Sequence, residues 1–119
     1  MDQQILLIDD SAIQLRVRET ILRSAGFTVS AATTAESALA LLRSSPDMFG
    51  LVITDHLLSG ITGVEIVRQL RTFLPDIPVV VISGLPELEA EYEGLNVIVR
   101  QKPVPPPELI ELARSLRAA

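Results

Sequence analysis

Five short apolar runs are spaced along the chain, and each pair is separated by a stretch with helical periodicity. The runs are Ile5-Leu6-Leu7-Ile8, Phe27–Ala31, Leu51-Val52-Ile53-Thr54, Val79-Val80-Val81-Ile82 and Asn96–Val99. Ile5–Ile8 is apolar throughout, which predicts a strand buried on both faces, and the other four runs read as further strands of the same sheet. Ser11–Ala25 predicts the first helix, with Ile13, Val17, Ile21, Leu22 and Ala25 at helical spacing and Gly26 placed as its C-terminal cap. Thr33-x-x-Glu36 is a capping-box pattern that opens a second helix through Ala38, Leu39, Leu41 and Leu42, ended by Ser44-Ser45-Pro46-Asp47. A third helix carries Val64, Val67, Leu70 and Leu74 and stops at Pro75-Asp76-Ile77-Pro78. Pro86–Glu93 predicts a short acidic fourth helix, and Pro105-Pro106-Pro107 leads into a fifth, Glu108–Leu116.

Strands and helices thus alternate five times. Strands that are apolar on both faces need helices on both sides, so the pattern predicts an α/β fold with a parallel sheet between two helical layers. Right-handed crossovers leave few topologies for it. The 119 residues make one domain, long enough to bury about two-thirds of the surface its unfolded form exposes. No linker, repeat or low-complexity tract divides the chain, and a single domain over residues 1–119 with no second domain is expected.

Composition narrows the function classes. The net charge of −5, without a basic stripe, argues against nucleic acid as a partner. The absence of cysteine removes disulfides and thiolate metal sites, and a single histidine removes any multi-histidine site. No apolar stretch approaches the ~20 residues of a membrane span. The start Met1-Asp2-Gln3-Gln4 lacks the basic region of a signal peptide, so a cytoplasmic location is expected. Neither a G-x-x-x-x-G-K-[ST] nor a G-x-G-x-x-G pattern occurs, so nucleotide binding has no support.

Four of the apolar runs end in polar groups. Asp9 and Asp10 follow the first, Asp55 the third, Ser83 the fourth and Lys102-Pro103 the fifth. In open α/β sheets, ligands bind beyond the carboxyl ends of the strands. If the first and third strands are neighbours, three carboxylates converge. A pair of like charges about 4 Å apart repels by roughly 4 kcal/mol at an effective dielectric near 20. A hard divalent cation such as Mg²⁺ relieves that crowding and also takes phosphate oxygens as ligands. Lys102 and the Ser83 hydroxyl suit further phosphate oxygens, and a carboxylate can itself be the nucleophile that forms an aspartyl-phosphate. Each group has a bland reading by itself. Asp9-Asp10 could cap a helix, Asp55 and Ser83-Gly84 could be turn residues, and Lys102 could be surface decoration. Only the coincidence at four strand ends favours a site.

The set Asp9-Asp10, Asp55, Ser83 and Lys102-Pro103, together with the segment Ile53-Thr54-Asp55-His56-Leu57-Leu58-Ser59-Gly60-Ile61-Thr62-Gly63, resembles the receiver domain of two-component response regulators of the chemotaxis-regulator type. The resemblance spans the first strand to the fifth helix. It implies a flavodoxin-like doubly wound sheet of strand order 2-1-3-4-5, with five helices in three layers. It also implies that Asp55 accepts a phosphoryl group from a sensor histidine kinase or phosphotransfer protein. Mg²⁺ would be held by Asp10, Asp55 and the Leu57 carbonyl, with Asp9 acting through a bound water. Ser83 and Lys102 would bind phosphoryl oxygens next to a cis Lys102-Pro103 bond. On the same resemblance, the protein is a signalling phosphoacceptor rather than an enzyme acting on a separate substrate. Its output would pass to a downstream protein or to another domain of a longer polypeptide.

Four features depart from the family pattern. Ser59 stands where a proline is usual, and Val99 where an aromatic commonly turns with phosphorylation. The stretch from Ser83 to Lys102 is short, which predicts a stunted fourth helix. Leu57 and Leu85, at positions that govern water access in the family, predict slow self-dephosphorylation. The alternative is a pseudo-receiver, a phosphorylation-independent interaction domain. A phosphohydrolase of the haloacid-dehalogenase type is disfavoured because Leu57 stands where such enzymes place a second aspartate. His56 is expected to be a partly exposed loop residue that nothing pairs with a nucleophile, and Phe27, Phe49 and Phe73 to pack in or beside the core.

Overall fold

The computed structural model describes residues 3–117. Met1-Asp2, part of the start read as lacking a leader, lies outside the described residues. The strands are β1 (Gln4–Ile8), β2 (Val29–Ala32), β3 (Phe49–Asp55), β4 (Leu57–Leu58), β5 (Ile61–Thr62), β6 (Val79–Ser83) and β7 (Ile98–Gln101). The helices are α1 (Ala12–Ser24), α2 (Ala35–Ser44), α3 (Gly63–Arg71) and α4 (Pro106–Arg117). β4 and β5 form a small antiparallel hairpin. The other five strands pair in parallel in the order β2-β1-β3-β6-β7. Counted within the sheet this is 2-1-3-4-5, the doubly wound flavodoxin-like order.

Side chains alternate across a strand, so each apolar run feeds two cores. Leu6, Ile8, Val52, Val79 and Val81 pack with Ala38, Leu42, Ile66, Val67 and Leu70 of α2 and α3. Ile5, Leu7, Leu51, Ile53, Val80 and Ile82 pack with Leu15, Leu22, Leu109 and Ala113 of α1 and α4. The sheet therefore sits between two helical layers, as its apolar runs require. Phe49 is buried, and Phe27 and Phe73 pack at the core edge.

The fold corrects the expected elements in six places. There are four α-helices among the described residues rather than five, because Pro86–Glu93 yields only a 3-10 turn, Glu89–Tyr92. Glu87 (φ 57°) and Gly94 (φ 82°) bracket this segment in left-handed conformations through which no helix continues. β2 runs Val29–Ala32 rather than Phe27–Ala31, since the Phe27 amide donates to the Leu22 carbonyl at the end of α1, and β7 begins at Ile98 rather than Asn96, since Asn96 has φ 56°. α3 stops at Arg71, short of Leu74. The Arg71 guanidinium instead donates to the carbonyls of Leu74 (3.0 Å), Ile77 (2.7 Å), Leu95 (2.9 Å) and Asn96 (2.9 Å) and pins the chain that replaces a longer helix. α2 is capped by Thr34, whose Oγ1 accepts from the Ser37 amide, and not by the Thr33 box.

The sixth correction concerns α1. Ile13 and Val17 are 79% and 53% exposed, while Leu15 and Leu22 are buried. The helix turns the Leu15–Arg18–Leu22 face to the sheet and leaves the Ile13–Val17 stripe outside. Positions i, i+3 and i+7 share a helix face, so this choice carries Arg18 inward with the two leucines.

Candidate functional site

β1 and β3 are the adjacent strands at which the sheet's winding reverses, and a crevice opens at their carboxyl ends. Ile8 is in register with Thr54, which sets Asp9 beside Asp55. β3 continues into Asp55, which is in register with Ile82 of β6, and Ser83 is in register with Gln101 of β7. The Lys102 amide donates to the Ser83 carbonyl at 2.6 Å, and the Lys102-Pro103 peptide is cis. Each predicted polar group thus arrives at the same sheet edge because a strand of matched register delivers it.

Asp9 and Asp55 are buried. Asp9 Oδ1 accepts from the Ser11 amide at 2.9 Å, and its Oδ2 accepts from Arg18 Nη1 at 2.9 Å. The same Nη1 lies 3.3 Å from Asp55 Oδ1, and Lys102 Nζ lies 3.1 Å from Asp55 Oδ2. Gln14 Oε1 accepts from both cations, from Lys102 Nζ at 3.1 Å and from Arg18 Nη2 at 3.5 Å. Asp10 is exposed, and its Oδ2 accepts from the Ser59 hydroxyl at 2.8 Å. Ser83 is buried, with its Oγ accepting from the Leu85 amide at 2.9 Å. Burial raises the Asp9 carboxyl above its ordinary value, and the Asp55 charge pushes the same way, against the Ser11 amide, Arg18 and Lys102.

Asp55 and Lys102 therefore meet directly, Arg18 joins Asp9 to Asp55, Asp10 and Ser83 stand at the same sheet edge, and Leu57 opens the hairpin that follows Asp55. The Asp9, Asp10 and Asp55 carboxylates are the hard oxygen donors that a Mg²⁺ ion takes, so the donor chemistry fits. Among the described residues no three acidic or imidazole side chains stand assembled for a metal. Arg18 stands between two of these carboxylates, and Ser59 engages the third. Leu57 and Leu85 are exposed beside the site.

A family model described as "Response regulator receiver domain" matches residues 5–114. The chain belongs to the response regulator receiver family. As a receiver it is a signalling domain. It is 37% identical over 82 residues to the two-component response regulator ORR5 of Oryza sativa subsp. japonica, a match covering 67% of this chain and 60% of that protein. It is 32% identical over 92 residues to the C4-dicarboxylate transport transcriptional regulatory protein DctD of Rhizobium meliloti, covering 77% of this chain and 20% of that protein. The receiver thus spans about 60% of the first relative's length and a fifth of the second's. Among solved structures it resembles a response regulator receiver protein from Sinorhizobium medicae (33% identity, TM-score 0.87, covering 99% of this chain and 96% of that one). The CheX-CheY-BeF3-Mg+2 complex of Borrelia burgdorferi shares the fold at 19% identity and a TM-score of 0.87, covering 95% of this chain and 87% of that one.

Three site features of the receiver escaped the sequence. Arg18 and Gln14 were hidden within an amphipathic helix, and only the i, i+4 spacing of the pair hinted at cooperation. Ser59 replaces the usual proline with a hydroxyl bonded to Asp10. His56 corrects the expectation of a partly exposed loop residue. It is buried, and its Nδ1 shares a 2.7 Å hydrogen bond with Tyr92 Oη, the rings meeting edge to face at 5.7 Å. A Cβ at Gly63 would lie 2.5 Å from Tyr92 Oη and 3.1 Å from the Asp55 carbonyl, so glycine there lets the pair close behind Asp55. No helix among the described residues is long and apolar enough to cross a membrane.

Proposed function

We propose that this receiver accepts a phosphoryl group on Asp55 from a phosphohistidine of a sensor histidine kinase or phosphotransfer protein, in a Mg²⁺-dependent reaction, and that the change switches its protein contacts. The observation that supports this most is the Asp55 carboxylate at a strand end, buried, with Lys102 Nζ 3.1 Å from one oxygen and Ser83 on the next strand. An Asp55 oxygen attacks phosphorus as the donor's P–N bond breaks. The electron pair passes to the imidazole nitrogen, which takes a proton from solvent. Lys102 screens charge on the transferred group, and Ser83 can donate to it once its hydroxyl turns from the Leu85 amide. Bound Mg²⁺ would supply positive charge shared between the Asp9, Asp10 and Asp55 carboxylates, the Leu57 carbonyl and the phosphoryl oxygens. The exposed Ile13 and Val17 stripe on α1 lies beside Lys102 and Pro103 and suits a protein donor approaching Asp55. The output passes to a downstream protein or to another domain of a longer polypeptide, and the location is the cytoplasm, where such donors work.

Incubation with Mg²⁺ and phosphoramidate or acetyl phosphate tests this. The wild-type chain should gain an acid-stable, base-labile phosphoryl adduct that Asp55→Ala lacks. No adduct in wild type, or one that persists in Asp55→Ala, would leave the pseudo-receiver reading in its place.

A further inference from the structure

None of the roles proposed for Asp9, Asp10, Asp55, Ser83 or Lys102 requires a second basic side chain, yet α1 supplies one. Arg18 Nη1 bridges Asp9 Oδ2 (2.9 Å) and Asp55 Oδ1 (3.3 Å), and its side chain is only 14% exposed. Each oxygen of Asp55 then faces a cation, Oδ1 the guanidinium and Oδ2 the Lys102 ammonium. Gln14 Oε1 accepts from both cations and holds these like charges at a set spacing. Burying a guanidinium is unfavourable unless its charge is matched and its N–H groups are bonded. Here two buried carboxylates and one amide match it. The chain accepts that arrangement while leaving Ile13 and Val17 in water on the opposite face of the same helix.

The charge count at the sheet edge follows. Asp9, Asp10 and Asp55 bring three negative charges, and Arg18 and Lys102 bring two positive ones. A divalent cation entering this site finds much of the attraction already satisfied. One carboxylate that would hold it directly, Asp55, and the one that would act through water, Asp9, are both engaged by one guanidinium.

We propose that Arg18 is a built-in rival of the divalent cation. In the metal-free chain it ties Asp9 to Asp55 and masks one oxygen of the acceptor. It thereby weakens Mg²⁺ binding, and once it has released the carboxylates its planar fork of N–H donors is free to bind a phosphoryl oxygen beside Lys102. This deepens the proposed function and rests on its metal-dependent site. Arg18 would then couple the metal state to the readiness of Asp55. The metal-free chain resists small phosphodonors, and the loaded chain gains an extra anion-binding group.

The test is thermal unfolding of the full chain in a chelator and across a Mg²⁺ titration, for wild type, Arg18→Gln and Arg18→Lys, with Asp10→Asn added to each. In chelator, Arg18→Gln should melt below wild type, because two buried carboxylates have lost their shared partner. Added Mg²⁺ should raise the variant's melting temperature more than the wild type's, with a fitted affinity at least tenfold tighter. Arg18→Lys should fall between them, and it carries the comparison if Arg18→Gln does not fold. Asp10→Asn should diminish the Mg²⁺-induced rise in every background. A deficit in Arg18→Gln that is the same with and without Mg²⁺ marks a purely structural arginine and overturns the proposal. Equal Mg²⁺ affinities overturn it too, while a rise that depends on Asp10 leaves the metal site itself standing. No Mg²⁺-induced rise in any variant removes both the rivalry and the metal site, and the Asp55 adduct is judged separately by the phosphoramidate experiment.

Discussion

Tyr92→Phe removes one oxygen atom from the interior behind Asp55, next to His56. Tyr92 is buried in the short segment that replaces a fourth helix, and its Oη is 2.7 Å from His56 Nδ1. Phenylalanine keeps the ring and its edge-to-face packing, so the transfer of apolar surface hardly changes. What changes is that His56 Nδ1 is left in the interior without its partner. A buried polar group stranded in this way costs about 1–3 kcal/mol. Unfolding entropy of about 2.1 cal/mol/K per residue gives roughly 0.25 kcal/mol/K for a chain of this length, so the melting temperature should fall by about 4–12 °C. Thermal unfolding followed by far-UV circular dichroism measures it, and a double-mutant cycle with His56→Leu isolates the pair. The two substitutions together should cost less than the sum of their separate effects, by about 1 kcal/mol. If Tyr92→Phe melts within about 1 °C of wild type, or if the two effects simply add, the His56–Tyr92 bond does not hold this corner together. The consequence extends to the site. His56 follows Asp55, its amide donates to the Ile82 carbonyl at 2.9 Å, and its carbonyl accepts from the Gly63 amide at 2.6 Å.

Three further outcomes follow from the same structure. Tyr92 is the chain's only tyrosine, and burial raises its phenol well above the ordinary value, with Glu91 adding to the shift. A raised native pKa favours the protonated phenol, so its linked stability is complete below the unfolded value of about 10 and is lost as pH rises beyond it. Phenolate absorbance should therefore appear only together with unfolding, and a phenolate band in the intact fold near pH 10 would refute the burial argument. Arg71→Lys keeps the charge but loses the fork that reaches four carbonyls, and should cost about 2–4 kcal/mol in denaturant unfolding; a loss below about 1 kcal/mol would show that those bonds are replaceable. Leu57→Asn with Leu85→Glu places polar groups at two exposed positions beside Asp55, and should speed loss of the phosphoryl group several-fold in a phosphate-release time course; an unchanged rate removes the leucines as a water shield.

Much of the molecule was legible in the chain itself. The runs at 5–8, 51–54 and 79–82 became the buried strands β1, β3 and β6 because a sheet covered on both faces needs side chains that are apolar on both faces, and the runs at 27–31 and 96–99 became the more exposed edge strands β2 and β7. The carboxylates, serine and lysine after those runs were legible for the same reason, since a strand's last residue necessarily arrives at its carboxyl edge. The shortness of the Ser83-to-Lys102 stretch predicted a stunted fourth helix, but not its reduction to a 3-10 turn nor the left-handed Glu87 and Gly94 on either side of that turn. Local capping was less secure. Thr33 and Thr34 offer the same chemistry one residue apart, and the choice depended on how the chain leaves β2.

The sequence by itself determined which segments enter the sheet and which polar groups reach its edge, because strand periodicity and strand ends are local properties. Only the tertiary structure decided which face of α1 is buried. The Ile13–Val17 stripe and the Leu15–Arg18–Leu22 face are both helical stripes, and hydrophobicity alone does not favour the one that carries an arginine. The chain buries the second because Asp9 and Asp55 wait beneath it. A guanidinium bonded to two buried carboxylates offsets its own desolvation and theirs, and that exchange appears only when residues 9, 18 and 55 are brought together. For the same reason His56 found Tyr92, a partner 36 positions away, which no local pattern connects to it.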